Sequence, residues 1–245
     1  KWFMIKIKRR KTDKTIKAIE ALKTAKIKNS SYNTPEVNAA LREMFYGKCY
    51  ICENKQTTSF QIEHLMPHHG NVDLKYDWNN LFWSCAHCNN IKNDKYTPIL
   101  DCTKENIEDF IAFRKKGYFG TEERLIFESL DFRTETENTV KLLQEVYYGS
   151  TPQKQIEAKV LRRALRKELS EFKEYVREYQ EEEDEQEKGD LRCLLRKELR
   201  DSSSFAAFKC WLIRDNKNIF PELYEDITAS VSYTHLRAHE TLSDL

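Results

Sequence analysis

Two Cys-x-x-Cys pairs, Cys49/Cys52 and Cys85/Cys88, stand thirty-two residues apart, counting Glu53 through Ser84, and constrain this chain more than any other feature. Four thiolates offered as two knuckles complete a tetrahedral zinc shell and leave no open position, which defines a structural site. Zinc binding worth on the order of 10 kcal/mol would then be coupled to folding of the segment between them. Disulfides are the competing use of paired cysteines, and they belong to oxidising compartments. No apolar run reaches the roughly 18 residues a membrane span requires, and Lys1, Trp2 and Phe3 followed by a Lys-rich stretch do not form a secretory signal. The expectation is a cytoplasmic protein with no membrane attachment, in which the pairs hold metal. Cys102, Cys193 and Cys210 lack paired spacing and are expected as small buried apolar residues.

A zinc-braced ribbon alone is compatible with a binding module or an enzyme, so the residues between and after the knuckles decide. They include Glu63-His64, Asn80 and Asn89. Hydrolysis of a phosphodiester needs a base to activate water, a cation to neutralise charge on the phosphate and departing oxygen, and rigid support for both. His64, with an ordinary pKa near 6.5, suits proton abstraction around neutral pH. Glu63 supplies the hard oxygen ligand that Mg²⁺ or Mn²⁺ prefers. The run QIEHLMP (61–67) reads as a short strand, and CAHCNNIK (85–92) places Asn89 on a helix where its amide oxygen can complete the cation's ligand pair. Lys92, one turn on, is a phosphate contact or an exposed lysine, and His87 inside the second knuckle is surplus to four sulfurs.

The rest of the chain reads as mostly helical. Charged residues at 33% exceed the usual quarter. Lys1 to Lys28 carries eleven Lys or Arg against Asp13 and Glu20, a local charge of +9 that attracts phosphate backbones or simply solvates a helix. Met4 is the expected natural start, and MIKIKRRK alternates like a short strand. Ile16, Ile19 and Leu22 recur at helical spacing, residues 29–33 read as a loop, and Thr34-Pro35 opens a helix ending near Tyr46 and Gly47. Beyond Pro98, helices are predicted over Lys104–Lys115 and Asn138–Tyr147. LRRALRKEL (161–169) echoes LRCLLRKEL (191–199), each with one apolar stripe, and the acidic run Glu181–Glu187 between them is expected to be solvated. Phe205, Phe208, Trp211 and Leu212 form a late apolar face expected in the core. The closing SYTHLRAHETLSDL looks like vector or adaptor sequence, which sets His235 and His239 aside.

With CYIC, IEHLMP and WNNLFWSCAHCNNIK standing in that order over Lys48 to Lys95, the sequence resembles the HNH nuclease family. The resemblance implies a ββα-metal core, His64 as general base, and Glu63 and Asn89 as ligands of a catalytic Mg²⁺ or Mn²⁺. It also implies Asn80 as the middle Asn that ties the loop and orients His64. Asn80 is preferred to Asn79 because it immediately precedes Leu81. Glu63 stands where the family more often has Asp, which lengthens the ligand by one methylene. His68 and His69 follow Pro67 where the family often has a Ser/Gly-rich loop, which makes His69 a candidate substrate contact. The MIKIKRR start, the helix leading into GKCYICE, and NTVKLL in the helical C-terminal region further resemble the PtuB nucleases of bacterial Septu anti-phage systems and their retron-associated relatives. That resemblance implies a PtuA-like ATPase as partner and phage DNA as substrate. No Walker-type glycine loop is present to bind a nucleotide in this chain itself.

The expected fold is therefore α+β and helix-dominated. It comprises a basic arm and helices (1–47), a zinc-braced ββα-metal core (48–98), a helical C-terminal region (99–227) and a tail (228–245). A non-catalytic zinc ribbon that binds nucleic acid or a partner, and a sequence-specific restriction endonuclease, are the competing functional readings.

Overall fold

The first helices begin where a threonine caps them. In the computed structural model, which describes residues 6–117 and 123–229, α1 (Asp13–Ile27) starts behind Thr12, whose Oγ1 accepts the Thr15 N–H at 3.2 Å. α2 (Pro35–Met44) starts behind Thr34 in the same way, with Pro35 in its first turn, as the sequence predicts. A side-chain acceptor satisfies an N–H that every helix start leaves without an intrahelical partner. α1 buries Ala18, Leu22 and Ala25, α2 buries Val37, Ala40 and Leu41, and the two pack together. Tyr46 and Gly47, both at positive φ, then turn the chain into the first knuckle.

β1 (Phe60–His64) and β2 (Leu81–Cys85) pair antiparallel, with Ile62 opposite Trp83 and His64 opposite Leu81. The connection between them holds the short helix α3 (Val72–Tyr76) and a single 3₁₀ turn at Trp78–Asn80. Cys85 ends β2 and caps α4 (Ala86–Lys92), its sulfur accepting the Cys88 N–H at 3.5 Å. Strand, strand and helix thus follow the predicted order, and both knuckles lie at the seams of this unit.

Two expectations of secondary structure fail. Residues 6–11 form no strand; Ile7 is buried and its N–H reaches the Cys102 carbonyl at 2.8 Å, while Met4 and Ile5 lie outside the described residues. The helix predicted over Lys104–Lys115 is instead a 3₁₀ turn at Ile107–Asp109 followed by β3 (Ile111–Lys116), which pairs antiparallel with β4 (Arg124–Ser129). Ile107, Phe110 and Ile111 mimic helical spacing, but Phe113 lies opposite Phe127 and both rings contact Phe208, so long-range burial decides the conformation.

The remaining chain is helical: α5 (Thr134–Tyr148), α6 (Pro152–Glu181), α7 (Glu185–Glu198), α8 (Ala206–Asp215) and α9 (Pro221–Ala229). The predicted Asn138–Tyr147 helix falls within α5. The two echoed stripes lie on α6 and α7, where Leu161, Leu165 and Leu169 are buried, as are Leu195 and Leu199, and the two helices pack together. Glu182 to Asp184 form the solvated break between them. Phe205, Phe208 and Trp211 enter the core, and Leu212 packs against it. Cys102 and Cys210 are buried as expected, but Cys193 is exposed, because the stripe of Leu191, Leu194 and Leu195 turns position 193 to the outer face of α7. The vector-like tail from Ser232, with His235 and His239, lies outside the described residues.

One buried acid sits in this frame only partly compensated. Neither carboxyl oxygen of Glu108 meets a well-formed hydrogen-bond donor, and burial pushes its pKa up to about 8 against the pull of its own backbone N–H and of Arg214 on α8, with Glu53 and Asp109 adding to the rise. The folded state therefore binds this proton more tightly than the unfolded chain. Stability from Glu108 is complete below about pH 4.5 and is lost as pH rises toward about 8. Glu108→Gln should flatten the fall in melting temperature between pH 5.5 and 8, a difference of about 3 kcal/mol at the alkaline end. Parallel pH–stability curves for the two proteins would contradict it.

Candidate functional site

The four knuckle sulfurs are buried and lie within 4.8 Å of one another, with Cys52 and Cys85 at 3.9 Å. Tetrahedral zinc with Zn–S bonds of about 2.3 Å separates its sulfurs by about 3.8 Å. The donor set therefore fits zinc, and among the described residues this is the one group of three or more His, Cys, Asp or Glu side chains that clusters as metal ligands do. His87 takes no place in it: its ring binds Glu157 at 2.6 Å and the Val146 carbonyl at 2.8 Å, fastening α4 to α5 and α6.

The first knuckle is anchored from the other side. Tyr147 donates its hydroxyl to the Cys52 carbonyl at 3.2 Å. Glu53, next in sequence and held at φ +59°, pairs with buried Lys48 at 2.8 Å, while its second oxygen accepts the Ala207 N–H at 2.9 Å.

His64 ends β1 with its Nε2 3.0 Å from the Lys75 carbonyl. A carbonyl only accepts, so Nε2 carries the proton and the lone pair of the neutral ring sits on Nδ1. Burial lowers the pKa of His64, the Lys75 carbonyl opposes that fall, and the nearby His68, Lys92 and Lys75 charges add to it. Tyr32 and His68 stand edge-on to the ring at centroid distances of 4.8 and 4.9 Å. The imidazole is thus fixed in tautomer and direction and kept neutral around pH 7, as a base must be.

Asn80 is buried and fully used. Its Oδ1 accepts the Met66 N–H at 2.8 Å, and its Nδ2 donates to the Met66 carbonyl at 2.9 Å and the Leu74 carbonyl at 3.1 Å. These bonds bracket His64 on one side and Lys75, which holds the ring, on the other. Asn79 is exposed, and its carbonyl accepts from Arg9. Removing three buried bonds should be costly: Asn80→Ala is expected to lower stability by about 2 kcal/mol, read as a drop in the urea midpoint. An unchanged midpoint would show that the loop is held some other way.

Glu63 is buried, as expected of a ligand held by a frame, but it already has two partners. Lys92 Nζ lies 2.7 Å from Oε1, and the Tyr50 hydroxyl donates to Oε2. Burial pushes the Glu63 carboxyl upward while Lys92 and Tyr50 pull it down, and burial holds Tyr50 well above its ordinary range, so the phenol stays a donor. A carboxylate has about four acceptor sites, so two remain open. Lys92 corrects an expectation. It is 0% exposed and bonds the His64 carbonyl at 3.0 Å as well as Glu63, so its ammonium is committed to the interior rather than presented to phosphate. α4 turns this position toward the sheet, and a buried ammonium is tolerated only where it is paired.

Asn89, on α4, donates its Nδ2 to Gln61 at 2.6 Å, which leaves its Oδ1 as an acceptor. Glu63, His64 and Asn89 line one cleft of about 460 Å³, together with His68, His69 and Asp94. His69, at φ +44° and exposed, lies 3.6 Å from Asp94. Sequence reading missed Tyr50, Tyr32 and Asp94. Only Tyr50 carried a local signal, a phenol inside the first knuckle. The cleft brings together a neutral imidazole, a carboxylate and an amide oxygen, the set that can take a proton from water and hold a hard divalent cation.

Residues 49–95 match the family described as HNH endonuclease. A Septu protein PtuB from Bacillus thuringiensis is 27% identical over 139 residues, covering 48% of this chain and 54% of that protein. A Septu protein PtuB from Bacillus mycoides (strain KBAB4) is 33% identical over 92 residues, 31% of each chain. The match thus spans about half of the first relative and less of the second. No solved structure matches the chain significantly.

Proposed function

We propose that this chain, which carries an HNH endonuclease domain at residues 49–95, hydrolyses phosphodiester bonds in DNA with the aid of Mg²⁺ or Mn²⁺. The observation that carries the reading is His64. Its Nε2–H is committed to a backbone carbonyl, and the ring lines the cleft shared with Glu63 and Asn89. In this reading Nδ1 takes a proton from water as the water oxygen bonds to phosphorus and the bond to the departing oxygen breaks. The Glu63 carboxylate and the Asn89 amide oxygen would hold the divalent cation, which would supply positive charge to neutralise the phosphate and the leaving oxygen. Asn80 and the Lys75 carbonyl keep the imidazole aimed. The four cysteines hold zinc and set strand against helix. His69, exposed on the cleft rim, is the substrate-facing candidate.

The likeness to Septu PtuB proteins extends beyond the 49–95 segment, to 139 residues in the longer match. It supports the further reading of this protein as the nuclease effector of a bacterial anti-phage complex with a PtuA-like ATPase, acting in the cytoplasm on phage DNA. No helix among the described residues is long and apolar enough to cross a membrane.

One observation favours a second reading, a non-catalytic zinc-braced module. The Lys92 ammonium already compensates the Glu63 charge that a catalytic cation would otherwise meet. The separating experiment is cleavage of plasmid and phage DNA in Mg²⁺ or Mn²⁺, with and without the co-expressed neighbouring ATPase. Cation-dependent cutting supports the nuclease; one tightly held zinc, no second cation and no cutting in either setting supports the module.

A further inference from the structure

A second groove, of about 470 Å³, runs between β4 and α5. Tyr96, Arg124, Lys141, Gln144, Glu145 and Tyr148 line it. The chain itself joins the two depressions. Asp94 lines the catalytic cleft, Tyr96, two residues on, lines the groove, and exposed Lys95 between them in sequence holds its ammonium 4.9 Å from the Tyr96 ring centroid.

The charges of this groove are not those of a merely solvated surface. Its acid, Glu145, is occupied by Lys154 at 3.2 Å and by Ser150, and these contacts draw its pKa below the ordinary value. Arg124 and Lys141 have no acid within 4 Å among the described residues, and both are exposed. Register adds a third cation, because Lys116 lies directly opposite Arg124 across the β3–β4 pair. Residues directly opposite in an antiparallel pair project from the same face, and like charges there destabilise the sheet. A hairpin end that places two cations together spends stability on a feature folding does not require. An anion lying across them would remove the repulsion.

We infer that Lys116, Arg124 and Lys141 form a track for the phosphate backbone of the nucleic-acid strand as it runs out of the catalytic cleft over Lys95. The track rests on the endonuclease reading for its direction, but its binding is measurable without cutting. Two or three phosphates neutralised here would release counterions and give the complex a salt dependence beyond that of the catalytic cleft.

The test is fluorescence anisotropy with labelled single-stranded and duplex DNA oligonucleotides across a salt series, using the full chain carrying His64→Ala so that the probe survives. Adding Arg124→Gln and Lys141→Gln together should weaken binding about tenfold at low salt and make the plot of log affinity against log salt shallower by about 1.5. Lys116→Gln alone should weaken binding about threefold while leaving the melting temperature equal or higher, since it relieves the like-charge pair. A melting temperature that does not fall separates a lost contact from a damaged fold. Unchanged affinity and slope in the double variant, beside a parent that cuts DNA, overturns the track and leaves the nuclease reading intact. A chain that cuts nothing but loses DNA affinity on the same substitutions supports the track and counts against the nuclease.

Discussion

His64→Ala is expected to lower the rate of cation-dependent plasmid nicking by about 10²- to 10⁴-fold, the usual contribution of a positioned general base. The size of the effect follows from how completely the ring is prepared. The Lys75 carbonyl fixes its tautomer, Tyr32 and His68 fix its plane, and burial keeps it neutral. The four knuckle sulfurs make no hydrogen bond to this side chain among those described, so the variant should keep the zinc proposed for them and its helical spectrum. A His64→Ala protein that nicks DNA as fast as its parent would end the mechanism. Because an ATPase partner is proposed to license cutting, the comparison is run both alone and in its presence, and the parent must cut in at least one setting.

The second large effect concerns the frame. Cys88→Ser should abolish retention of one zinc per chain and unfold at least the segment from Cys49 to Lys92, since about 10 kcal/mol of metal binding is coupled to that fold. Without the metal, four buried sulfurs within 4.8 Å of one another would have nothing to hold them together. Metal content by mass spectrometry and thermal unfolding with and without a strong chelator measure the outcome. A parent purified free of zinc that melts at the same temperature before and after chelation would sink the zinc assignment. The two experiments dissect different parts: the first removes chemistry and keeps metal, and the second removes both.

Much of the central unit was legible in the sequence, because its signals are local. Thr34-Pro35 announces a helix start, and two Cys-x-x-Cys pairs announce a tetrahedral sulfur cluster whatever lies between them. Asn80 before Leu81 was picked out as the one that ties the loop, and in the structure its side chain bonds the Met66 N–H and the Leu74 carbonyl. What escaped depends on partners far away in the chain. Lys92 read as a surface lysine because nothing nearby reveals that Glu63, 29 positions earlier, sits under it. Residues 111–115 read as helix because the strand partner, Arg124–Ser129, lies beyond Gly117 and the packing partner Phe208 lies further still. Exposed Cys193 shows the opposite error, a residue assigned to the interior by type alone when its place on the stripe already turned it outward.

The clamp on Glu53 has a practical consequence. That carboxylate neutralises Lys48 just ahead of the first knuckle and also caps the start of α8, more than 150 residues downstream, where the Ala207 N–H would otherwise go unmet. A fragment cut to residues 49–95, the segment that matches the nuclease family, would strand this buried acid beside the cysteine cluster and lose Lys48, Tyr147 and Ala207, which hold the first knuckle. The smallest independently folding piece of this protein should therefore reach at least to Asp215. A displacement of α5 or α8 would therefore reach the first knuckle directly, through Tyr147 on the Cys52 carbonyl and through Ala207 on Glu53.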